Sequence, residues 1–208
     1  MSHFSVHVFT RHGTEYEIES LLAPFCEEVE PGDPYAVFQP DDDPHAPVDP
    51  ATGERGWWVN PDARWDWWQK GGRCDNLRLK DGGSSCEARV RDLNLSPDPE
   101  AIKEAEGFWE HAVNGAPLEG DKPLFIFKPE YYTDRYGTKE NYIKNVTSQV
   151  PYAFITPDGE WHETGEMGWF GMDDATAASL TKFQSEWEAF VTDPDNQDLF
   201  VTVVDCHI

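Results

Sequence analysis

Apolar and polar positions alternate at the start of the chain: Phe4, Val6 and Val8 are separated by Ser5 and His7 between His3 and Thr10. Period two marks a strand with one face buried. The period then lengthens. Ile18, Leu21, Leu22 and Phe25 recur at helical spacing, behind Thr14-Glu15-Tyr16-Glu17. That tetrapeptide fits a capping box, in which threonine and glutamate satisfy the free N–H groups of a first turn. The pattern predicts a helix to about Glu28, with Pro24 as the point where it kinks or shortens.

Further along, Leu77 to Leu79 and Ala88 to Val90 read as short strands around the turn Asp81-Gly82-Gly83. Ser96-Pro97-Asp98 opens a second helix whose stripe is Ile102, Ala105, Phe108, Trp109 and Ala112. Leu124 to Phe127 reads as a compact strand and Thr138 to Val146 as a short helix. Tyr152 to Ile155, Pro157-Asp158-Gly159 and Trp161 read as a hairpin. A final helix spans about Ala175 to Val191, with Leu180, Phe183, Trp187 and Phe190 on one face, and the strand Leu199 to Cys206 follows.

Elements that interleave this irregularly predict an α+β fold: a mostly antiparallel sheet with packed helices, a ferredoxin-like arrangement being one candidate. The 208 residues suit a single domain. The stretch from about 30 to 63, rich in Pro, Asp and Gly, is expected to be a long loop excursion. Its run Asp41-Asp42-Asp43 lacks the spaced ligands and closing glutamate of an EF-hand.

Charge narrows the partners. Forty acidic residues against 16 basic ones give a formal net charge of −24, which disfavours direct binding to nucleic acid or to anionic membranes. It leaves open a basic protein partner, and equally a general solubility role. No apolar run is long enough to span a bilayer, and the N-terminus lacks a signal-peptide pattern. A cytoplasmic location is therefore expected. Cys26, Cys74, Cys86 and Cys206 contain no CxxC pair, so a zinc ribbon is not expected and free thiols are.

Candidate chemistry lies in two places. Five of the nine tryptophans fall between Trp57 and Trp68, and the densest part is Trp65-Asp66-Trp67-Trp68-Gln69-Lys70-Gly71-Gly72-Arg73. Trp65 and Trp67 can stack on a ring, Gly71 and Gly72 let the backbone approach a ligand, and Arg73 can fork onto a phosphate or carboxylate. Asp66 can accept an indole N–H, orient Arg73 or act as a base. An Asp–Arg pair that holds aromatic packing together accounts for the same residues.

The chain ends form the second place. If the first and last strands are antiparallel neighbours, His3 faces Asp205 and His207, which share a face while Cys206 points away. His3, Asp205 and His207 then suit a divalent metal, or acid/base work with Asp205 orienting a histidine. Polar residues at water-exposed strand ends account for them equally. His7 either joins this cluster or is an ordinary half-exposed strand residue. Glu166, between Gly165 and Met167, is a further candidate catalytic carboxylate.

Four ordered segments also carry a resemblance. These are Met1-Ser2-His3-Phe4-Ser5-Val6, Trp65-Asp66-Trp67-Trp68 with Gly71-Gly72-Arg73, Gly165-Glu166-Met167-Gly168-Trp169-Phe170-Gly171, and Val203-Val204-Asp205-Cys206-His207-Ile208. Together they resemble a group of small bacteriophage and prophage proteins that begin MSHF, carry a WDW–GGR segment and end VDCHI. Trp68 and Cys74 depart from that pattern, in which tyrosine and tryptophan are common. The resemblance implies a phage accessory protein acting in the host cytoplasm and implies no particular reaction.

Three functional expectations follow. One is a pocket for a small anionic, nucleotide-like ligand that counters host defence. A second is an acidic decoy of nucleic acid that inhibits a basic host protein. A third is an interaction module that uses its tryptophans as an interface.

Overall fold

The computed structural model describes residues 2–117, 126–167 and 173–208. Its centre is the antiparallel pair of β1 (His3–Thr10) and β10 (Phe200–His207), the two ends of the chain, in the register His3 opposite His207 and Ser5 opposite Asp205. Between them in sequence come α1 (Glu15–Leu22), β2 (Val37–Pro40), β3 (Gly56–Val59), β4 (Trp67–Lys70), β5 (Leu77–Arg78), β6 (Ser84–Ser85) and β7 (Glu87–Arg89). Then follow α2 (Pro99–Ala112), α3 (Pro129–Tyr136), α4 (Lys139–Thr147), β8 (Ala153–Ile155), β9 (Trp161–Glu163) and α5 (Ala177–Thr192). The fold is α+β. The main sheet has six strands in the order β4-β10-β1-β8-β9, with β7 also on β10.

β4 and β7 share the outer edge of β10 end to end. Val204–His207 pairs with β4, and Phe200–Thr202 pairs with β7. The chain leaves this edge at Gly71 and Gly72, both with positive φ (70° and 60°). On the other side of β1, β8 runs parallel to it. A ferredoxin-like split βαβ would place an antiparallel strand there, so the terminal strands pair as in that arrangement but the neighbouring pair does not.

The period-two pattern gives the sheet two inner faces. Phe4, Val6, Val8, Val204 and Cys206 point to one, where Ile18 and Leu22 of α1 and the Trp65 indole cover them. Phe9, Phe154, Val201 and Val203 point to the other, beneath Phe183, Trp187 and Val191 of α5. A third cluster, built from Trp109, Tyr132 and Tyr142, joins α2, α3 and α4.

Several boundaries differ from the sequence expectation for physical reasons. Thr14 and Glu17 form the expected capping box, but α1 stops at Leu22, and Pro24 sits in a single 3-10 turn over Ala23–Phe25. α2 begins at Pro99 rather than near Pro97 because Asp98 is its N-cap, accepting the Glu100 N–H. The excursion from 30 to 63 contains the β2–β3 hairpin, with Phe38 against Trp58. α3 carries little apolar periodicity and was not anticipated. Of the strand expected over Leu124 to Phe127, residues 124 and 125 lie outside the described residues, and Ile126 and Phe127 are in no strand. Among the described residues no helix is long and apolar enough to cross a membrane.

Candidate functional site

Five polar residues of β1 and β10 lie on one sheet face, whereas Thr10 and Thr202 are buried on the other. Register sets His3, Ser5 and His7 on the same face as Asp205 and His207, with Gln69 and Trp67 of β4 beside the last two. Where α5 covers this face the residues are apolar, His7 excepted. Beyond it they become polar, and there the chain supplies hydrogen bonds instead of side-chain packing.

Asp205 organises the site. It is 0% exposed, and its carboxylate accepts the His3 Nδ1–H at 2.9 Å, the Arg73 backbone N–H at 2.8 Å and the Gln69 Nε2–H at 3.3 Å. Burial alone would raise its pKa. The Arg73 N–H, then His3 and Gln69, outweigh that and hold the carboxyl below its usual value. Gly72 makes this possible, since a Cβ there would lie 2.3 Å from Asp205 Oδ2. The double glycine therefore brings the backbone down onto a carboxylate of this chain. With Nδ1–H bound to Asp205, the remaining nitrogen of neutral His3 is an acceptor, the arrangement of a carboxylate-oriented base.

A second dyad stands behind the first. His207 Nδ1–H donates to Asp66 Oδ1 at 2.6 Å, and the His207 and His3 ring centroids are 5.1 Å apart. Trp67, 47% exposed, sets its edge against both imidazoles at 6.0 and 6.3 Å. Nε2 of His207 is enclosed and has no hydrogen-bond partner. This dyad therefore buttresses His3 and offers no open nitrogen.

His3, Ser5 and His7 form the floor of a cleft of about 390 Å³, with Arg73, Cys74 and Arg78 among its walls. One wall is the segment that leaves β4 at the double glycine, and the other is the segment from Val146 to Pro151. Gln149 ties the two together. It accepts the Arg78 backbone N–H and donates to the Asn94 carbonyl at 2.7 Å. The Arg73 side chain is exposed, and among the described residues it has no ion-pair partner. Arg78 donates to the Thr147 and Ser96 carbonyls at 3.1 and 3.4 Å, and among the described residues to no carboxylate.

The predicted residues thus separate. His3, Arg73 and Asp205 come together, and Asp66 and His207 join them from behind. Asp66 holds His207 and neither an indole nor Arg73, so the expected Asp–Arg pair is replaced by a bond from Asp205 to the Arg73 backbone. Trp65 is a core residue on the opposite face, its indole N–H donating to the Leu22 carbonyl at 3.1 Å. Gly71 shapes the turn against Cys86.

Glu166 is exposed and does not line the cleft. Its backbone N–H donates to Asp174, and the neighbouring Met167 packs on the Trp65 side of the sheet. The following residues 168–172, read above as part of a tight loop, lie outside the described residues.

The expected metal set, His3, Asp205 and His207, lies together but is not arranged around a common point. Among the described residues no three His, Cys, Asp or Glu side chains are placed to hold an ion, because each imidazole faces its own carboxylate.

Two residues matter more than their sequence suggested. His7 is not half-exposed but 4% exposed, and burial lowers its pKa to about 3, so the ring is neutral. Cys74 has its thiol pushed up to about 12 by burial and then by the Asp205 carboxylate, which removes it as a nucleophile near neutral pH. The alternation of His7 with Val6 and Val8 gave its face. Only the position of α5, with Trp187 against its ring, gave its depth.

Comparisons with protein-family models, with curated proteins and with solved structures find no match to this chain.

Proposed function

We propose that this protein binds a small anionic, nucleotide-like ligand in the cleft above His3, with Arg73 as the group that engages the anion. One observation carries the reading: a buried carboxylate spends its hydrogen bonds on fixing the backbone of Arg73 and the ring of His3, while the guanidinium is left without a partner. In a chain of net charge −24, a cleft lined by two arginines, Arg73 and Arg78, against one carboxylate, Asp75, is locally far less acidic than the rest of the molecule, and the unpaired Arg73 guanidinium there favours an anion. The volume of about 390 Å³ falls within the range of small-molecule sites. His3, oriented by Asp205, supplies a proton acceptor or donor at the same place. The phage resemblance extends this proposal to a role in countering host defence.

Titration calorimetry with nucleoside phosphates tests it. Wild-type protein is expected to bind, and Arg73→Ala to weaken binding at least about tenfold, the scale of a charge-assisted hydrogen bond. Because Arg73 is exposed, its loss is expected to change stability by less than about 0.5 kcal/mol. Equal binding by the variant, or none by the wild type, overturns the reading. A stoichiometric, salt-sensitive complex with a basic protein in place of ligand binding favours the decoy instead.

A further inference from the structure

The two ends of the cleft floor differ chemically. His3 and His7 lie on one face of β1, four residues and therefore about 13 Å apart. At the His3 end stand Arg73 and the Asp205-bound imidazole. At the other end, His7 has no hydrogen-bond partner among the described residues on either ring nitrogen, although it is 4% exposed and lines the cleft. Its Nδ1 is enclosed, whereas Nε2 is not among the enclosed atoms. Trp187, with its ring centroid 6.0 Å from that of His7, also has an unpartnered indole N–H. Nearly buried polar side chains are seldom left without a partner, and a ring that lines this cleft with Nδ1 closed off and Nε2 neither enclosed nor bonded to protein takes its partner at Nε2 from whatever fills the cleft.

His7 lies among Val203, Phe154 and Trp187, and burial keeps it uncharged. A neutral imidazole in apolar surroundings suits a hydroxyl, an amide or a ring nitrogen, and has no charge to balance a second anionic group. We propose that the cleft takes a phosphate ester whose far end is an uncharged hydrogen-bonding group, the phosphate resting on Arg73 and the far end on His7 Nε2. A nucleoside monophosphate and a sugar phosphate share this chemistry. Inorganic phosphate satisfies only the Arg73 end. The proposal rests on the cleft being an anion site, and it adds the second anchor.

The test measures binding of adenosine monophosphate, ribose 5-phosphate and inorganic phosphate to wild type, Arg73→Ala, His7→Phe and His7→Gln. At least one ester is expected to bind wild type about tenfold more tightly than inorganic phosphate, the scale of one additional buried hydrogen bond. His7→Phe is expected to abolish that advantage while leaving inorganic phosphate binding unchanged, and His7→Gln to restore part of it. Arg73→Ala weakens all three probes. The ester that shows the advantage distinguishes a base from a sugar at the far end.

If esters and inorganic phosphate bind equally, or if His7→Phe keeps the advantage, the His7 anchor is overturned while the anion site stands. If no probe binds, both fall. Should the His7 variants fail to fold, the ring ¹⁵N shifts of His7 in wild type decide. They must move with the ester and stay fixed with inorganic phosphate, and shifts unmoved by the ester overturn the proposal.

Discussion

Asp205 and Cys206 are consecutive residues of the same strand, both fully buried, on opposite faces of the sheet. Around Cys206 stand Phe4, Val6, Ile18, Leu22 and Trp65. Burial pushes its thiol well above the ordinary value. Around Asp205 stand the His3 ring, the Arg73 N–H and the Gln69 amide, and its carboxyl is held below its ordinary value. Both are closed to solvent, with Cys206 much the deeper of the two. The supply of donors differs as well, and it turns the pKa of the buried carboxyl downward where burial alone would raise it. One face is a core. The other is a core that turns into a site at the point where α5 ends its cover and the double glycine brings a backbone N–H within reach.

The largest expected effect comes from exchanging the two environments. Cys206→Asp places a carboxylate where no donor waits, and is expected to cost more than about 5 kcal/mol, enough to leave the chain unfolded at neutral pH. Circular dichroism checks this, and a folded variant would mean that the apolar face has donors or water within reach.

A smaller loss, about 3 kcal/mol at pH 7 in urea unfolding, is expected for Asp205→Asn, which removes the charge that its three donors surround. The sign of the pH dependence follows from the lowered carboxyl. The Asp205 contribution is full above the unfolded-state pKa, near 3.8, and is lost as pH falls through the lower folded-state value. Wild type and Asp205→Asn should therefore converge in stability as the pH drops below about 4. A gap that stays constant would show that the carboxylate is not charged in the folded protein.

Gly72→Ala sharpens the comparison further. Its Cβ would lie 2.3 Å from Asp205 Oδ2 and 2.6 Å from Gln69 Nε2, at a φ of +60°. The expected cost is about 2 kcal/mol. The His3 ring resonances should shift as the carboxylate is displaced. A variant as stable as wild type, with His3 unmoved, would show that the close approach is not required.

The alternation of Phe4, Val6 and Val8 with Ser5 and His7 showed which side chains of β1 share a face. The same period placed Asp205 and His207 together and Cys206 opposite. The Thr14–Glu17 box marked the start of α1. These features were legible because each depends on residues within a turn or two of one another. Trp65, Trp67 and Trp68 were not separable in this way. They fall in one window, yet Trp65 is core, Trp67 lies against the histidines and Trp68 packs on the other face. Nor was α3 visible, since Tyr132 is its only described buried residue and most of its remaining surface is polar. The placement of Glu166 outside the cleft, and of His3 and His207 each on its own carboxylate, was not legible for the same reason: residue type at a loop or strand end says what a side chain can do and not what already holds it.

The sequence by itself determined the α+β class, the face each terminal-strand residue occupies and the sign of the whole molecule's charge. Periodicity and composition are properties of the chain before it folds. Only the tertiary structure decided that Asp205 is charged at zero exposure, that Asp66 serves His207, and that among the described residues the Arg73 guanidinium has no ion-pair partner and the buried His7 ring no hydrogen-bond partner. Each of these depends on a donor, or on the lack of one, brought from a distant part of the chain. A hydrogen bond of about 3 Å is settled by where two backbones finally lie.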